Sequence, residues 1–93
     1  MTAATNGRVR VLLADDQDLI RAGFKALIDS TSDLEVIGEA SDGQEAIDFL
    51  RADPADVVLM DIRMPGLDGL AATREICADN ELADVKVIVL TTF

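Results

Sequence analysis

At 93 residues the chain has room for one domain with a modest core, and its composition, 49% apolar and 28% charged, is that of a folded protein rather than a disordered one. Its 18 acids against 8 bases give a formal charge of −10, which excludes the basic surface that duplex phosphates require, so no nucleic acid is expected to bind this segment. The absence of histidine excludes histidine-dependent triads and most catalytic zinc sites, leaving chemistry to carboxylates, hydroxyls and amides.

The opening MTAATNGR lacks an apolar signal core, and residues 1–7 read as a loose tail. RVRVLLA at 8–14 then reads as a strand, nearly continuous in apolar character, as suits a strand covered on both faces. Asp15-Asp16 follows at its carboxyl end, and Asp16 or Asp18 is placed to cap the next helix. That helix carries Leu19, Ile20, Gly23, Phe24, Leu27 and Ile28 on one stripe, with Arg21, Lys25 and Asp29 on the wet side. LEVIGEA at 34–40 is a more mixed strand, suited to a sheet edge.

Ser41-Asp42-Gly43-Gln44 has the spacing of a capping box and starts a second helix, which buries Ala46, Ile47 and Leu50 and stops before Pro54. DVVLMD at 56–61 is a third strand that ends on a carboxylate, Asp61. The turn formers Pro65, Gly66 and Gly69 shape the loop behind it, and Met64 and Leu67 are its anchors on the core. A third helix begins near Asp68 and carries Leu70, Thr73, Ile76 and Cys77, the cysteine read as a small core residue. VKVIVLTT at 85–92 is the fourth strand, again nearly continuous in apolar character, ending in Thr91-Thr92.

Alternation of strand and helix predicts right-handed βαβ units in a doubly wound α/β sheet. One cysteine cannot form an internal disulfide and no apolar run spans a membrane, so the expected setting is the cytoplasm, with no membrane partner.

In such sheets ligands bind at the carboxyl ends of the strands. If the first and third strands are neighbours, Asp15, Asp16 and Asp61 converge there. Two carboxylates about 4 Å apart repel by roughly 4 kcal/mol at an effective dielectric near 20. A hard divalent cation resolves that conflict, and magnesium, which favours one or two carboxylates together with phosphate oxygens, points to a phosphoryl group.

VLLADDQ, DVVLMDIRMPGLDG and VIVLTT, in this order and at these separations, resemble the receiver domains of two-component response regulators. LIRAGFKALI, LEVIGEASDGQEAI and LTTF further resemble the NarL/LuxR-type subfamily, whose receivers precede a helix-turn-helix DNA-binding domain. The resemblance covers residues 8–93 and implies a flavodoxin-like sheet of order 2-1-3-4, which receivers continue with a fifth strand and last helices that this sequence lacks. It implies that Asp61 is the phosphoacceptor for a sensor histidine kinase and that Thr91 is the hydroxyl that turns toward the phosphoryl group. Asp16 would bind Mg2+ directly, Asp15 chiefly through water, and the Arg63 backbone carbonyl would complete the protein ligands. The domain would be a switch, not an enzyme, controlling DNA binding and transcription by the intact protein.

Two departures stand out: Gln17 replaces a histidine common after the acid pair, and the fifth-strand lysine is absent, since Lys86 precedes the fourth strand and Lys25 lies mid-helix. The 8–93 receiver is thus read as incomplete at its C-terminus. Its fourth strand is then an edge, inviting a homodimer or strand-exchanged oligomer through it and the uncovered face of the first helix. Two alternatives stand beside this reading. One is a fragment inactive in phosphotransfer that acts as an assembly unit. The other is a haloacid-dehalogenase-type phosphatase, with LLADDQDLI supplying Asp16 as nucleophile and Asp18 as acid.

Overall fold

The structure, a computed structural model, describes residues 7–90. Its elements run β1 (Val9–Ala14), α1 (Asp18–Asp29), β2 (Leu34–Ala40), α2 (Gly43–Ala52), β3 (Val57–Asp61), α3 (Gly69–Ala78) and β4 (Lys86–Leu90), with a 3-10 turn over Asn80–Leu82. All four strands are parallel, as the repeat predicts, and lie in the order β2-β1-β3-β4 that the family resemblance implied.

Alternation along β1 builds the two layers. Leu12 and Ala14 face one side, where Ala46, Ile47 and Leu50 of α2 and Ala72 and Ile76 of α3 close over Val58 and Met60. Val11 and Leu13 face the other, against Phe24 and Ile28 of α1. Side chains of one strand thus feed two cores, the defining property of a sheet wrapped on both faces. Met64 and Leu67 pack on the larger core, as loop anchors should.

Helix ends follow their sequence signals with shifts of one residue. Asp42, not Ser41, caps α2: its carboxylate accepts the Glu45 N–H at 2.8 Å, while Glu45 Oε1 accepts the Ser41 N–H at 2.9 Å. Neither Asp16 nor Asp18 caps α1; Gln17 holds that position without a side-chain hydrogen bond.

Two apolar stripes are read differently by the structure. In α1, Leu19 and Leu27 are 84% and 66% exposed, because the helix rests on β1 and β2 by a narrow face that buries Ile28 and partly buries Phe24. In α3 the buried residues are Gly69, Ala72 and Ile76, while Leu70 and Cys77 are exposed. Close approach of Gly69 to the end of β3 sets the helix's rotation, turning the stripe about one residue away from the one expected. The fourth strand is described only to Leu90, and it forms the outer strand of the described sheet with Ile88 49% exposed. Among the described residues no helix is long and apolar enough to cross a membrane.

Candidate functional site

Parallel pairing of β1 with β3 puts Ala14 opposite Met60, so the next residues, Asp15 and Asp61, emerge side by side at the carboxyl edge of the sheet. Asp15, Asp16 and Asp61 each offer one carboxylate oxygen, and these oxygens all lie within 4.8 Å of one another. Asp15 and Asp61 are buried, at 7% and 3% exposure, whereas Asp16 is exposed. The expected convergence is therefore present, and it has the form of two carboxylates in the floor and one at the rim.

Backbone geometry holds each acid. Asp15 donates its N–H to the Ala40 carbonyl at 3.0 Å, accepts the Gln17 N–H on Oδ1 at 2.8 Å, and accepts Arg21 Nη1 on its own carbonyl oxygen. Asp61 pairs in register with Leu90, and its Oδ1 accepts the Arg63 N–H at 3.3 Å. Arg63 thus stands at the mouth of the site by its backbone, with its side chain exposed. Thr91, the fifth residue expected here, lies outside the described residues.

The loop behind Asp61 is fastened at several points. Gly66 takes a left-handed conformation, φ +67, which suits glycine, and Leu67 accepts the Gly43 N–H on its carbonyl oxygen at 2.9 Å. Gly69 donates to the Ile62 carbonyl at 3.0 Å, and a Cβ on it would fall 1.9 Å from the Asp61 carbonyl oxygen. Local composition marks Gly69 only as a turn former; its tight seat against the acid's own peptide has no signal there. Nor did the sequence single out Arg21 and Glu39, which meet through the fold at 3.0 Å beside Asp15.

Burial raises the Asp15 carboxyl above the ordinary aspartate range; the Gln17 N–H opposes that, the Asp61 and Asp16 charges add to it, and Arg21 lowers it. A raised carboxyl binds its proton more tightly in the folded state. Without a divalent cation, the cost of ionising Asp15 should therefore be absent below the ordinary value of about 4, grow as pH rises above it, and be full beyond the raised value. In thermal unfolding with a chelator, Asp15→Asn should gain on the wild type as pH rises through that window, and added Mg2+ should stabilise the wild type more than the variant. An Asp15→Asn melting curve that tracks the wild type at every pH would refute this coupling.

The donor set fits a hard cation: oxygen donors only, three charges of one sign, and two of the three withdrawn from water. Such a cluster can hold a divalent ion beside a carboxylate fixed at a strand end. A doubly wound parallel sheet with this acidic pocket at its carboxyl edge defines a class of ligand-binding α/β domains. Within that class the chain belongs to the response regulator receiver domain family, whose model matches residues 11–93.

Among its relatives is the transcriptional regulatory protein LiaR of Bacillus subtilis, 49% identical over 85 residues, which cover 91% of this chain and 39% of LiaR. The signal receiver domain of NarL from Mycobacterium tuberculosis is 34% identical with a TM-score of 0.85, matching 92% of this chain and 68% of that one. A LuxR-family DNA-binding response regulator from Staphylococcus aureus is 32% identical with a TM-score of 0.81, matching 91% and 69%. The chain therefore spans about two-fifths of the length of the first curated relative it matches.

Proposed function

We propose that the chain is a phosphorylation switch in which Asp61 takes a phosphoryl group from the phosphohistidine of a sensor histidine kinase. The observation that carries this reading is the gathering of the Asp15, Asp16 and Asp61 oxygens within 4.8 Å, with Asp61 at the tip of a central strand. An Asp61 carboxylate oxygen attacks phosphorus, the phosphorus–nitrogen bond of the donor breaks, and its electron pair returns to the imidazole, leaving an aspartyl phosphate. Asp16, Asp15 and the Arg63 backbone carbonyl would hold Mg2+, which when bound neutralises carboxylate and phosphoryl oxygens.

The floor position of Asp61 excludes water from one side of the nucleophile, and the fastened loop at 62–68 keeps its backbone groups at hand. Thr91 is assigned the hydroxyl that senses the added charge of about −1.5 to −2. The domain is a switch rather than an enzyme, and it works in the cytoplasm as residues 8–93 of a larger transcription regulator. In that protein DNA is contacted by a part outside this acidic segment, a reading supported by the relatives' names as transcriptional and DNA-binding regulators.

A phosphatase with Asp16 as nucleophile leaves the buried Asp61 and its loop without a role. The deciding experiment treats the chain with a small phosphodonor, with and without Mg2+, and reads intact mass. One hydroxylamine-labile phosphoryl group, dependent on Mg2+ and mapping to Asp61, is the expected result. A label on Asp16 or turnover of a phosphate ester would favour the phosphatase. No adduct while Mg2+ still binds would favour a role confined to assembly.

For the homodimer or strand-exchanged oligomer, support comes from β4, which pairs only with β3 among the described residues and exposes Ile88 and Val89 at 49% and 36%. Mass in solution should rise with concentration, and Val89→Lys at that edge should restore the monomer. A monomeric mass at every concentration, with sharp cooperative unfolding, would dismiss the idea.

A further inference from the structure

Arg21 ties three elements together at the back of the acidic pocket. Its Nε donates to Glu39 Oε1 at the end of β2 at 3.0 Å, Nη1 donates to the carbonyl oxygen of Asp15 at the end of β1, and Nη2 donates to Asp18 Oδ1 in the first turn of α1. The side chain is only 14% exposed, and of its three bonds the one to the Asp15 carbonyl is part-buried, whereas the Asp18 and Glu39 carboxylates are open to water and add less. The turn it grips is otherwise held by the Asp15 N–H on the Ala40 carbonyl and by the Gln17 N–H on Asp15 Oδ1, neither of which fixes the Asp16 side chain. Gln17 caps α1 without a side-chain hydrogen bond, and among the described residues none is made by the Asp16 side chain. The direction of Asp16 therefore follows from the peptide that precedes it, whose carbonyl is the one Arg21 holds.

Charge alone argues the opposite role. A fixed cation beside three carboxylates lowers the local negative potential and so weakens the attraction for a second cation. If geometry matters more than charge, the arginine strengthens metal binding in spite of its sign. Its planar fork can serve three acceptors in fixed directions, which a lysine ammonium cannot.

We infer that Arg21 is a positioning residue for the metal site, clamping the β1–α1 turn so that Asp15 and Asp16 are aimed at Asp61. The inference rests on the metal-binding role proposed above for these acids. It acts through the ligands' backbone, the kind of support whose loss typically weakens a metal site by about 10- to 100-fold.

The test is Mg2+ affinity of the 93-residue chain by calorimetry, with amide exchange at Gln17 followed by NMR. Arg21→Met should bind Mg2+ about tenfold more weakly than the wild type and exchange the Gln17 amide faster, with Arg21→Lys falling between the two. Equal or tighter binding by Arg21→Met would overturn the clamp while leaving the metal site standing. Should Arg21→Met not fold, Arg21→Lys decides: it keeps the charge, so unchanged affinity in a folded Arg21→Lys protein overturns the clamp. A wild type that takes up no Mg2+ overturns the metal site itself and the clamp with it.

Discussion

Asp61→Asn should abolish the phosphoryl adduct completely and, in the absence of Mg2+, make the domain more stable than the wild type. The two effects have one source. Asparagine keeps the shape of the side chain and an oxygen for the Arg63 N–H, but its amide is no nucleophile toward phosphorus. It also removes one of three negative charges whose oxygens lie within 4.8 Å, and a pair at that separation repels by roughly 3 kcal/mol at an effective dielectric near 20.

Because Asp16 is exposed and solvent screens part of that repulsion, a gain of about 1 kcal/mol is the expected size, or roughly 4–8 °C in Tm for a domain of this length. Mg2+ should reverse the order, stabilising the wild type and leaving Asp61→Asn nearly unmoved. Thermal scans with chelator and with Mg2+, beside intact mass after phosphodonor treatment, read both. An Asp61→Asn protein that still acquires a hydroxylamine-labile phosphoryl group would place the nucleophile elsewhere.

Gly69→Ala should be the most damaging small substitution in the loop. Its added Cβ would sit 1.9 Å from the Asp61 carbonyl oxygen and 2.9 Å from the Ile62 Cα, both backbone atoms that cannot swing aside. Relief requires α3 to back away from β3, opening the Gly69 to Ile62 hydrogen bond and loosening the Ala72 and Ile76 packing.

Overpacking of this kind costs about 3 kcal/mol, enough to lower Tm by roughly 12–24 °C in a small domain. Displacement of the Asp61 peptide should also weaken Mg2+ binding. Gly66→Ala provides the contrast. No atom lies within 4 Å of a Cβ there, so only the left-handed φ of +67 is penalised, at about 1 kcal/mol. Denaturant titration of the two variants separates crowding from conformation. Equal losses would mean that Gly69 is present for its flexibility after all.

The repeat of strand and helix was legible because each element carries its own period. Residues 56–61 and 34–40 are strands almost to the residue, and α2 stops where Pro54 forbids continuation. The three acids were legible for a related reason: a carboxylate directly after an apolar strand can emerge only at the sheet's carboxyl edge. Which face of a helix is buried was less legible. Leu19, Leu27, Leu70 and Cys77 satisfy the helical period yet stay exposed, since hydrophobic spacing limits the candidates for burial without fixing how far the helix is rotated or what lies opposite. The cap of α1 was missed because Asp16 and Asp18, both good capping residues, flank Gln17, which takes the position without a side-chain hydrogen bond while Asp18 pairs with Arg21.

Sequence by itself determined the order of elements, the two-sided burial of β1 and the residues able to carry charge to one edge, because these depend on neighbours along the chain. The adjacency of β1 and β3, by which Asp15 meets Asp61, was implied by the family resemblance and not by any local pattern, while tertiary structure alone decided that Gly69 abuts the Asp61 peptide and that Arg21 reaches Glu39. Those meetings join residues distant in sequence, and only the packing of both cores at once determines which of the many possible pairs come within a few ångströms.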